Sequence, residues 1–209
     1  SRRRHTRCSR DWSSDVCSSD LSLRALKILP KPFWIALTMS AVLAFARISD
    51  AFLILRASDL GLPLAFAPFV LVAMNIVYAA LAWPAGRLAD LISRRLLLAL
   101  GVVTLSAASL CFAQSSSLPG VALGIALWGL HLALTQGLLA TLIADAAPPD
   151  LRGTAFGLFN LASGVAMLVG NGLTGWLWDA NGAESAFILT AIAASAPLLA
   201  LPWIKPARG

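Results

Sequence analysis

Two oppositely charged residues, Arg47 and Asp50, stand in an otherwise apolar part of the sequence. Side chains three positions apart lie on the same face of a helix. Inside a membrane span, an ionisable residue costs about 2.5–3.5 kcal/mol on insertion scales, so such residues face a cavity or a partner. Two interpretations follow. The pair lines a path for a solute, with Asp50 as a candidate proton site, or it is a static ion pair that holds this helix against a neighbour.

A histidine in a later apolar stretch is the second candidate for chemistry. Trp128, His131 and Thr135 share one helical face by their spacing, and Gln136 follows directly. Because histidine titrates near neutral pH, one interpretation is a polar cavity with proton transfer. The other is a buried histidine that a neighbouring helix satisfies by hydrogen bonding.

Four more polar side chains lie in apolar stretches. Asn75 and Tyr78 are again three positions apart, whereas Asn160 and Asn171 lie among several glycines. The two asparagines are candidates either for solute binding or for hydrogen bonds between helices. Gly170 follows an alanine by four positions, a spacing that indicates close helix packing because small residues let helices approach.

These candidates belong to a chain with the composition of an integral membrane protein. Of its 209 residues, 58% are hydrophobic and 12% charged, and the mean hydropathy is +0.79. Ordinary soluble domains carry about 25% charged residues. A helix needs about 20 apolar residues to cross the hydrocarbon core. The sequence therefore predicts an all-helical membrane protein with six spans, over residues 33–55, 65–84, 96–113, 118–146, 155–178 and 185–204.

Basic residues are distributed unequally over the segments between these spans. Cytoplasmic loops carry an excess of Lys and Arg, and the opposite side receives only Arg56. The pattern predicts a multi-pass protein with both termini in the cytoplasm. Because the positive charge is scattered and forms no stripe, the net charge of +6 does not indicate nucleic-acid binding. The basic residues assigned to the cytoplasmic side are Arg24, Lys27, Lys31, Arg87, Arg94, Arg95, Arg152, Lys205 and Arg208.

Residues 1–21 differ from the rest of the chain because they are polar and show no helical or strand periodicity. They resemble a translated sequencing adapter and are interpreted as an artefactual or disordered leader. The spacing of His5, Cys8 and Cys17 fits no common zinc site, so no metal is expected. The predicted organisation is a leader (1–21), a cytoplasmic linker (22–32), a six-helix transmembrane bundle (33–204) and a cytoplasmic tail (205–209).

The sequence GRLADLISRR, residues 86–95, joins the second and third predicted spans. It resembles the loop signature of the major facilitator superfamily, Gly-x-Leu-Ala-Asp-Arg-x-Gly-Arg-Arg/Lys. Gly86, Asp90, Arg94 and Arg95 match the signature and Arg87 occupies its variable position, whereas leucine and serine replace the intermediate Arg and the second Gly. One interpretation is a tight cytoplasmic turn whose aspartate pairs with arginines and helix ends to lock one conformation. The other is that the arginines only anchor the turn.

Residues 45–57 are also similar to the seventh helix of bacterial transporters in this superfamily, and the resemblance covers residues 26–205. It implies six helices in two inverted three-helix repeats, forming the carboxy-terminal half of a twelve-helix transporter. That half would work with an amino-terminal six-helix half by alternating access. The first two helices of each repeat would line the cavity. The third and sixth spans, which carry few polar residues, would face lipid.

The resemblance implies a secondary transporter that moves a small solute across the bacterial inner membrane, most commonly by proton-coupled efflux as an antiporter. The sequence contains no phosphate-binding loop, zinc-protease motif, serine-hydrolase motif or cysteine cluster. Neither an enzyme nor a cofactor is therefore expected. The alternative function is a six-helix substrate-binding membrane subunit of a multi-component importer.

Overall fold

The structure is a computed structural model that describes Leu26 and residues 28–200. All regular elements in this part of the chain are helical. The predicted leader (1–21), the start of the linker, the end of the sixth span and the tail (205–209) lie outside the described residues. The helices are α1 (Lys31–Ala46), α2 (Asp50–Asp59), α3 (Ala67–Leu91), α4 (Arg94–Gln114), α5 (Leu118–Ala146), α6 (Arg152–Asn181) and α7 (Ala183–Ala200). Short 3-10 turns, Leu64–Phe66 and Pro149–Leu151, precede α3 and α6.

Five helical stretches are long and apolar enough to cross a membrane: Lys31–Asp59, Leu64–Leu91, Arg94–Gln114, Leu118–Ala146 and Pro149–Asn181. A sixth apolar helix, Ala183–Leu199, is shorter within the described residues. The prediction of an all-helical chain built from apolar membrane-length segments is confirmed.

The first predicted span is not one continuous helix. α1 ends at Ala46, Arg47 adopts an extended backbone conformation, and α2 begins at Asp50 with Ser49 as its N-cap. The Ser49 hydroxyl accepts a hydrogen bond from the amide of Ala51, and Asp50 places a negative charge in the first turn. Both features favour a helix start. The sequence Ser-Asp therefore begins a new helix where hydropathy alone predicted an uninterrupted span.

The segment that resembles the superfamily signature is also more helical than predicted. α3 continues through Pro84 and ends at Leu91, so Gly86, Arg87 and Asp90 lie on its last turns rather than in a loop. The residues that follow Pro84 include alanines, leucines and an arginine, which favour helices. The turn is confined to residues 92–93, where Ser93 caps α4 by accepting a hydrogen bond from the amide of Leu96.

Burial differs strongly between helices. In α4 and in α5, half of the residues in the most apolar 18-residue segment are buried. In α3 and α6, only 11% of the corresponding segment is buried. The expectation that the third span would face lipid is therefore wrong for much of α4, which packs between α5 and α7. Its fully buried side chains include Leu97, Val102, Leu105 and Phe112. Since α4 is apolar all round, hydropathy could not distinguish burial against protein from burial in lipid.

Aromatic side chains join five helices at one end of the bundle. Phe112 stacks on Phe187, with ring centroids 5.1 Å apart, and meets Trp128 edge-on. Trp178 contacts both Phe187 and Phe52 at 5.6 Å between centroids. The cluster links α2, α4, α5, α6 and α7 near the predicted outer surface.

Candidate functional site

A cavity of about 320 Å³ opens between α1, α5 and α6, and we call it the first cavity. It combines apolar walls with hydroxyl, amide and guanidinium groups, a mixture that is typical of small-molecule sites. Its lining residues are Ser40, Leu43, Ala44, Arg47, Gln136, Leu139, Phe159, Asn160, Ser163, Gly164 and Met167.

Arg47 is the charged residue of the first cavity. The break between α1 and α2 positions it, because Arg47 follows the last residue of α1 while Ile48 beside it is buried in the core. Its guanidinium forms no hydrogen bond or ion pair with any described residue. A guanidinium has five N–H donors, so its hydrogen-bonding capacity remains available to an occupant of the cavity.

Polar groups from two other helices face the same space. Gln136 comes from α5, and Asn160 and Ser163 come from α6 one turn apart. Within the described part of the chain none of these three side chains is hydrogen bonded. The structure therefore brings Arg47, Gln136 and Asn160 together, three residues that the sequence suggested separately.

Asp50 is separated from the first cavity although it lies near Arg47. It is the first residue of α2 and is half-buried. Its charge lies close enough to interact with that of Arg47, but no ion pair forms between them in the described structure. Asp50 is absent from the cavity wall. Arg47 thus lines the cavity and the carboxylate lies beside it, outside the wall.

Asn171 connects the helix break to α6. Its Oδ1 accepts a hydrogen bond of 2.7 Å from the backbone amide of Ser49. One residue earlier, Gly170 packs so closely on α1 that an added Cβ would clash with the carbonyl oxygen of Phe45. The prediction that Gly170 mediates close packing is confirmed. Asn171 here forms a hydrogen bond between helices, one of its two predicted uses.

The face that carries His131 lies at the interface of α4 and α5. Trp128, His131 and Thr135 are fully buried, and none of them lines the first cavity. The imidazole Nδ1 lies 2.7 Å from the carbonyl oxygen of Gly101, which can only accept, so Nδ1 donates. Thr135 donates its hydroxyl to the His131 carbonyl at 2.8 Å. In this conformation the histidine ties α5 to α4.

A second cavity, of about 380 Å³, lies between α3, α4 and α5. It brings Tyr78 together with Gly86, Asp90 and Arg94 of the superfamily signature. Gln136 lines both cavities and so stands between the signature and Arg47. Arg94 forms an ion pair with Asp145, which joins the start of α4 to the end of α5.

Three further sequence candidates lie outside both cavities. Asn75 is exposed on α3 and donates to the carbonyl of Leu71 at 2.8 Å. The Arg87 guanidinium lies 4.7 Å from the centre of the Trp83 ring, a cation–π contact on the exposed surface. Arg95, the second residue of α4, is half-buried.

Three residues outside the predicted site set form contacts or line a cavity in the structure. Arg56 donates to the carbonyls of Phe112 at 2.9 Å and Ser115 at 2.6 Å, and so satisfies the end of α4. Asp145 pairs with Arg94, and Ser163 lines the first cavity. Only Ser163 had a signal in the sequence, because it lies three positions after Asn160 on one helical face.

Comparison with known proteins decides the family. The model of the Major Facilitator Superfamily matches residues 33–208. The chain belongs to the Major Facilitator Superfamily. MJ1317, an uncharacterised MFS-type transporter of Methanocaldococcus jannaschii, is 32% identical over 161 residues. That alignment covers 73% of this chain and 40% of the relative.

A second superfamily relative is YwfA, an uncharacterised MFS-type transporter of Bacillus subtilis. It is 36% identical over 99 residues, which are 46% of this chain and 24% of YwfA. The chain therefore spans less than half the length of either curated relative. The predicted membership of the superfamily is confirmed, and with it a multi-pass membrane protein.

Proposed function

We propose that this chain forms one half of a secondary active transporter that moves a small solute across the membrane by alternating access. One observation carries the proposal. A cavity within an apolar helical bundle presents Arg47, Gln136 and Asn160, and none of these side chains is satisfied by the part of the chain that the structure describes. Polar groups that are costly inside a membrane are usually functional. Superfamily membership favours a transporter over the alternative of an importer subunit.

The exposed faces of α3 and α6 support a second six-helix half as partner. Both helices are apolar, yet only 11% of the most apolar 18-residue segment of each is buried. Gly157 and Gly172 on α6 face open space, so the helix offers close approach to a neighbour. The large exposed apolar side chains of these two helices are Phe69, Val72, Ile76, Trp83, Leu91, Leu161, Val165, Leu168, Val169, Leu173 and Trp176.

Two inverted three-helix repeats are supported by the packing pattern. One repeat would contain three spans, which are α1 with α2, then α3, then α4. The other repeat would contain α5, α6 and α7. α1 packs on α6, the second helix of the other repeat, and α5 packs on α3 in the corresponding way. This exchange of partners is expected if a pseudo-two-fold axis in the membrane plane relates the repeats.

The superfamily signature is proposed to hold one conformation of the cytoplasmic end. Gly86 and Asp90, at the end of α3, and Arg94, at the start of α4, line the second cavity together. The ion pair between Arg94 and Asp145 holds α4 against α5 at this end. Arg87 and Arg95 would anchor the same end at the cytoplasmic surface.

Ion coupling and direction belong to the same proposal. Neither a nucleotide nor another cofactor enters the mechanism, so uphill movement would use an ion gradient. We assign proton coupling to Asp50, a half-buried carboxylate next to the helix break, and we expect efflux by antiport. Exchange of Asp50→Asn should make transport independent of an imposed pH gradient. The matched control is Asp59→Asn, which removes an exposed carboxylate at the end of α2.

Membrane topology offers a first test. With both termini in the cytoplasm of a bacterial inner membrane, Ser117→Cys would lie outside and Asp150→Cys inside. A membrane-impermeant maleimide added to intact cells should label the cysteine at 117 and reach that at 150 only after permeabilisation. Labelling of both positions from outside would contradict the topology.

Transport itself tests the central claim. Proteoliposomes with a complete transporter that contains this chain should move solute, whereas the chain by itself should bind without moving it. Transport by the chain alone would show that alternating access needs no second half.

A further inference from the structure

We infer that the first cavity selects solutes that carry an anionic group, such as a carboxylate, phosphate or sulfonate, and that Arg47 binds this group. The inference rests on the proposed function and deepens it, because it names the class of solute that the same cavity takes.

The charge of the cavity wall supports the inference. Arg47 is the one charged residue among the eleven that line the cavity, and its guanidinium has no partner within the described residues. Asp50, three positions further along the chain, interacts with Arg47 electrostatically but lies outside the wall. An unpaired cation within a membrane bundle is costly. A bound anion would offset that cost, whereas a cationic solute would increase it.

Hydrogen-bond donors around Arg47 fit the same chemistry. Gln136 and Asn160 each offer an amide NH₂, and Ser163 offers a hydroxyl. Gln136 comes from α5 and the other two from α6, whereas Arg47 follows the end of α1. Guanidinium donors bind carboxylate and phosphate oxygens two at a time, and such charge-assisted hydrogen bonds are the strong ones.

The remaining wall indicates the rest of the solute. Leu43, Leu139, Phe159 and Met167 supply apolar surface in the same cavity. A volume of about 320 Å³ lies at the small end of the range for small-molecule pockets. The solute is therefore expected to be a small organic anion with an apolar body rather than an inorganic ion.

Charged thiol reagents can test the sign of the electrostatic potential in the cavity without knowledge of the natural solute. The three native cysteines are first replaced (Cys8→Ser, Cys17→Ser, Cys111→Ala), and Ser163→Cys places one thiol in the cavity wall. The chain in nanodiscs is then treated with anionic sulfonatoethyl methanethiosulfonate and with cationic trimethylammonioethyl methanethiosulfonate. The readout is the ratio of the two modification rates.

Removal of the Arg47 charge should abolish the preference for the anionic reagent. For charges about 7 Å apart in water, Coulomb's law gives about a threefold effect on each reagent in opposite directions. Arg47→Gln should therefore lower the anion-to-cation ratio about sevenfold, and Gln136→Glu should lower it similarly by adding a carboxylate to the wall. Arg47→Lys should preserve the ratio, as should Arg152→Gln, which removes an exposed arginine at the start of α6.

The outcomes separate this inference from the proposed function. An unchanged ratio in Arg47→Gln, when Gln136→Glu lowers it and so shows that the assay detects charge in the wall, overturns anion selection while the cavity stands. If even neutral methyl methanethiosulfonate fails to modify the thiol at 163 but modifies Ser117→Cys, no open cavity exists and the proposed function fails with it.

A phospholipid headgroup carries the same anionic chemistry, and lipid composition distinguishes it from a solute. In nanodiscs of phosphatidylcholine, and in nanodiscs that also contain phosphatidylglycerol, the effect of Arg47→Gln should be equal. Loss of that effect in the phosphatidylglycerol nanodiscs would identify Arg47 as a lipid site and overturn the inference.

Discussion

Arg47 and His131 are both ionisable residues in apolar predicted spans, yet they lie in contrasting surroundings. His131 is fully buried between α4 and α5, and its Nδ1 donates to the Gly101 carbonyl. Arg47 lies at a break in the first span and faces a cavity without a partner in the described structure. The histidine acts as a link between helices, whereas the arginine offers its charge to whatever enters the cavity.

The packing around each residue explains the difference. At the α4–α5 interface a glycine without a side chain, Gly101, lets α5 approach until an added Cβ would overlap the Thr135 methyl group. Gly170 brings α6 equally close to α1, and the cavity opens beside this contact, towards Ser163 and Met167. An ionisable side chain such as Arg47 or His131 therefore links helices or faces a cavity according to how neighbouring helices pack around it.

Transport should show the largest contrast. In a complete transporter that contains this chain, Arg47→Gln should reduce the transport of an anionic solute about 30-fold or more, because about 2 kcal/mol of charge-assisted binding is lost. His131→Leu should retain transport within a few-fold, since the imidazole does not line the cavity. Initial uptake rates in proteoliposomes measure both. Equal losses in the two variants would remove the distinction between linking and binding residues.

Helix approach should show the next contrast. Gly170→Ala would press on a backbone carbonyl and should lower stability by about 3 kcal/mol, whereas Gly101→Ala meets a side-chain methyl and should cost about 1 kcal/mol. Unfolding in mixed detergents measures the free energies. Gly172→Ala, which faces open space, is the matched control and should be neutral or slightly stabilising. A greater loss of stability in Gly101→Ala than in Gly170→Ala would show that the α4–α5 contact, and not the α1–α6 contact, tolerates an added methyl group less.

The hydrogen bond at the helix break should contribute a smaller amount. Asn171→Ala leaves the Ser49 amide without its acceptor and should cost about 1 kcal/mol of stability. It should also speed hydrogen exchange at residues 47–50, which mass spectrometry of the reconstituted chain can follow. Asn75→Ala removes an amide bonded only to its own helix and serves as control. Unchanged exchange in Asn171→Ala would show that the break is held by packing alone.

Loss of the histidine should affect stability least. His131→Leu should cost about 0.5–1 kcal/mol, because Gly101 also accepts from the Thr104 hydroxyl and is not left unsatisfied. The same detergent unfolding assay applies, with Arg47→Gln for comparison. Arg47→Gln should be neutral or stabilising, since an unpaired charge leaves the bundle. A larger loss for Arg47→Gln than for His131→Leu would show that the guanidinium supports the fold.

Much of the architecture was predictable because hydropathy is a local property. The predicted span over residues 118–146 coincides with α5, and the other apolar stretches each contain helices. The helix break at Arg47 was missed because its signal, Ser49 followed by Asp50, is short and lies within a strongly apolar segment. The extension of α3 past Pro84 was missed because proline was taken as a helix end.

Composition, span length and the signature at residues 86–95 by themselves determined that the chain is a helical membrane protein of this superfamily. Only the tertiary structure decided that Arg47 faces a cavity, that His131 bonds to Gly101 and that Arg94 pairs with Asp145. The physical reason is the range of the interactions. Hydrophobicity acts on each segment as a whole, whereas the fate of a polar side chain depends on which carbonyl, carboxylate or open space a distant helix places beside it.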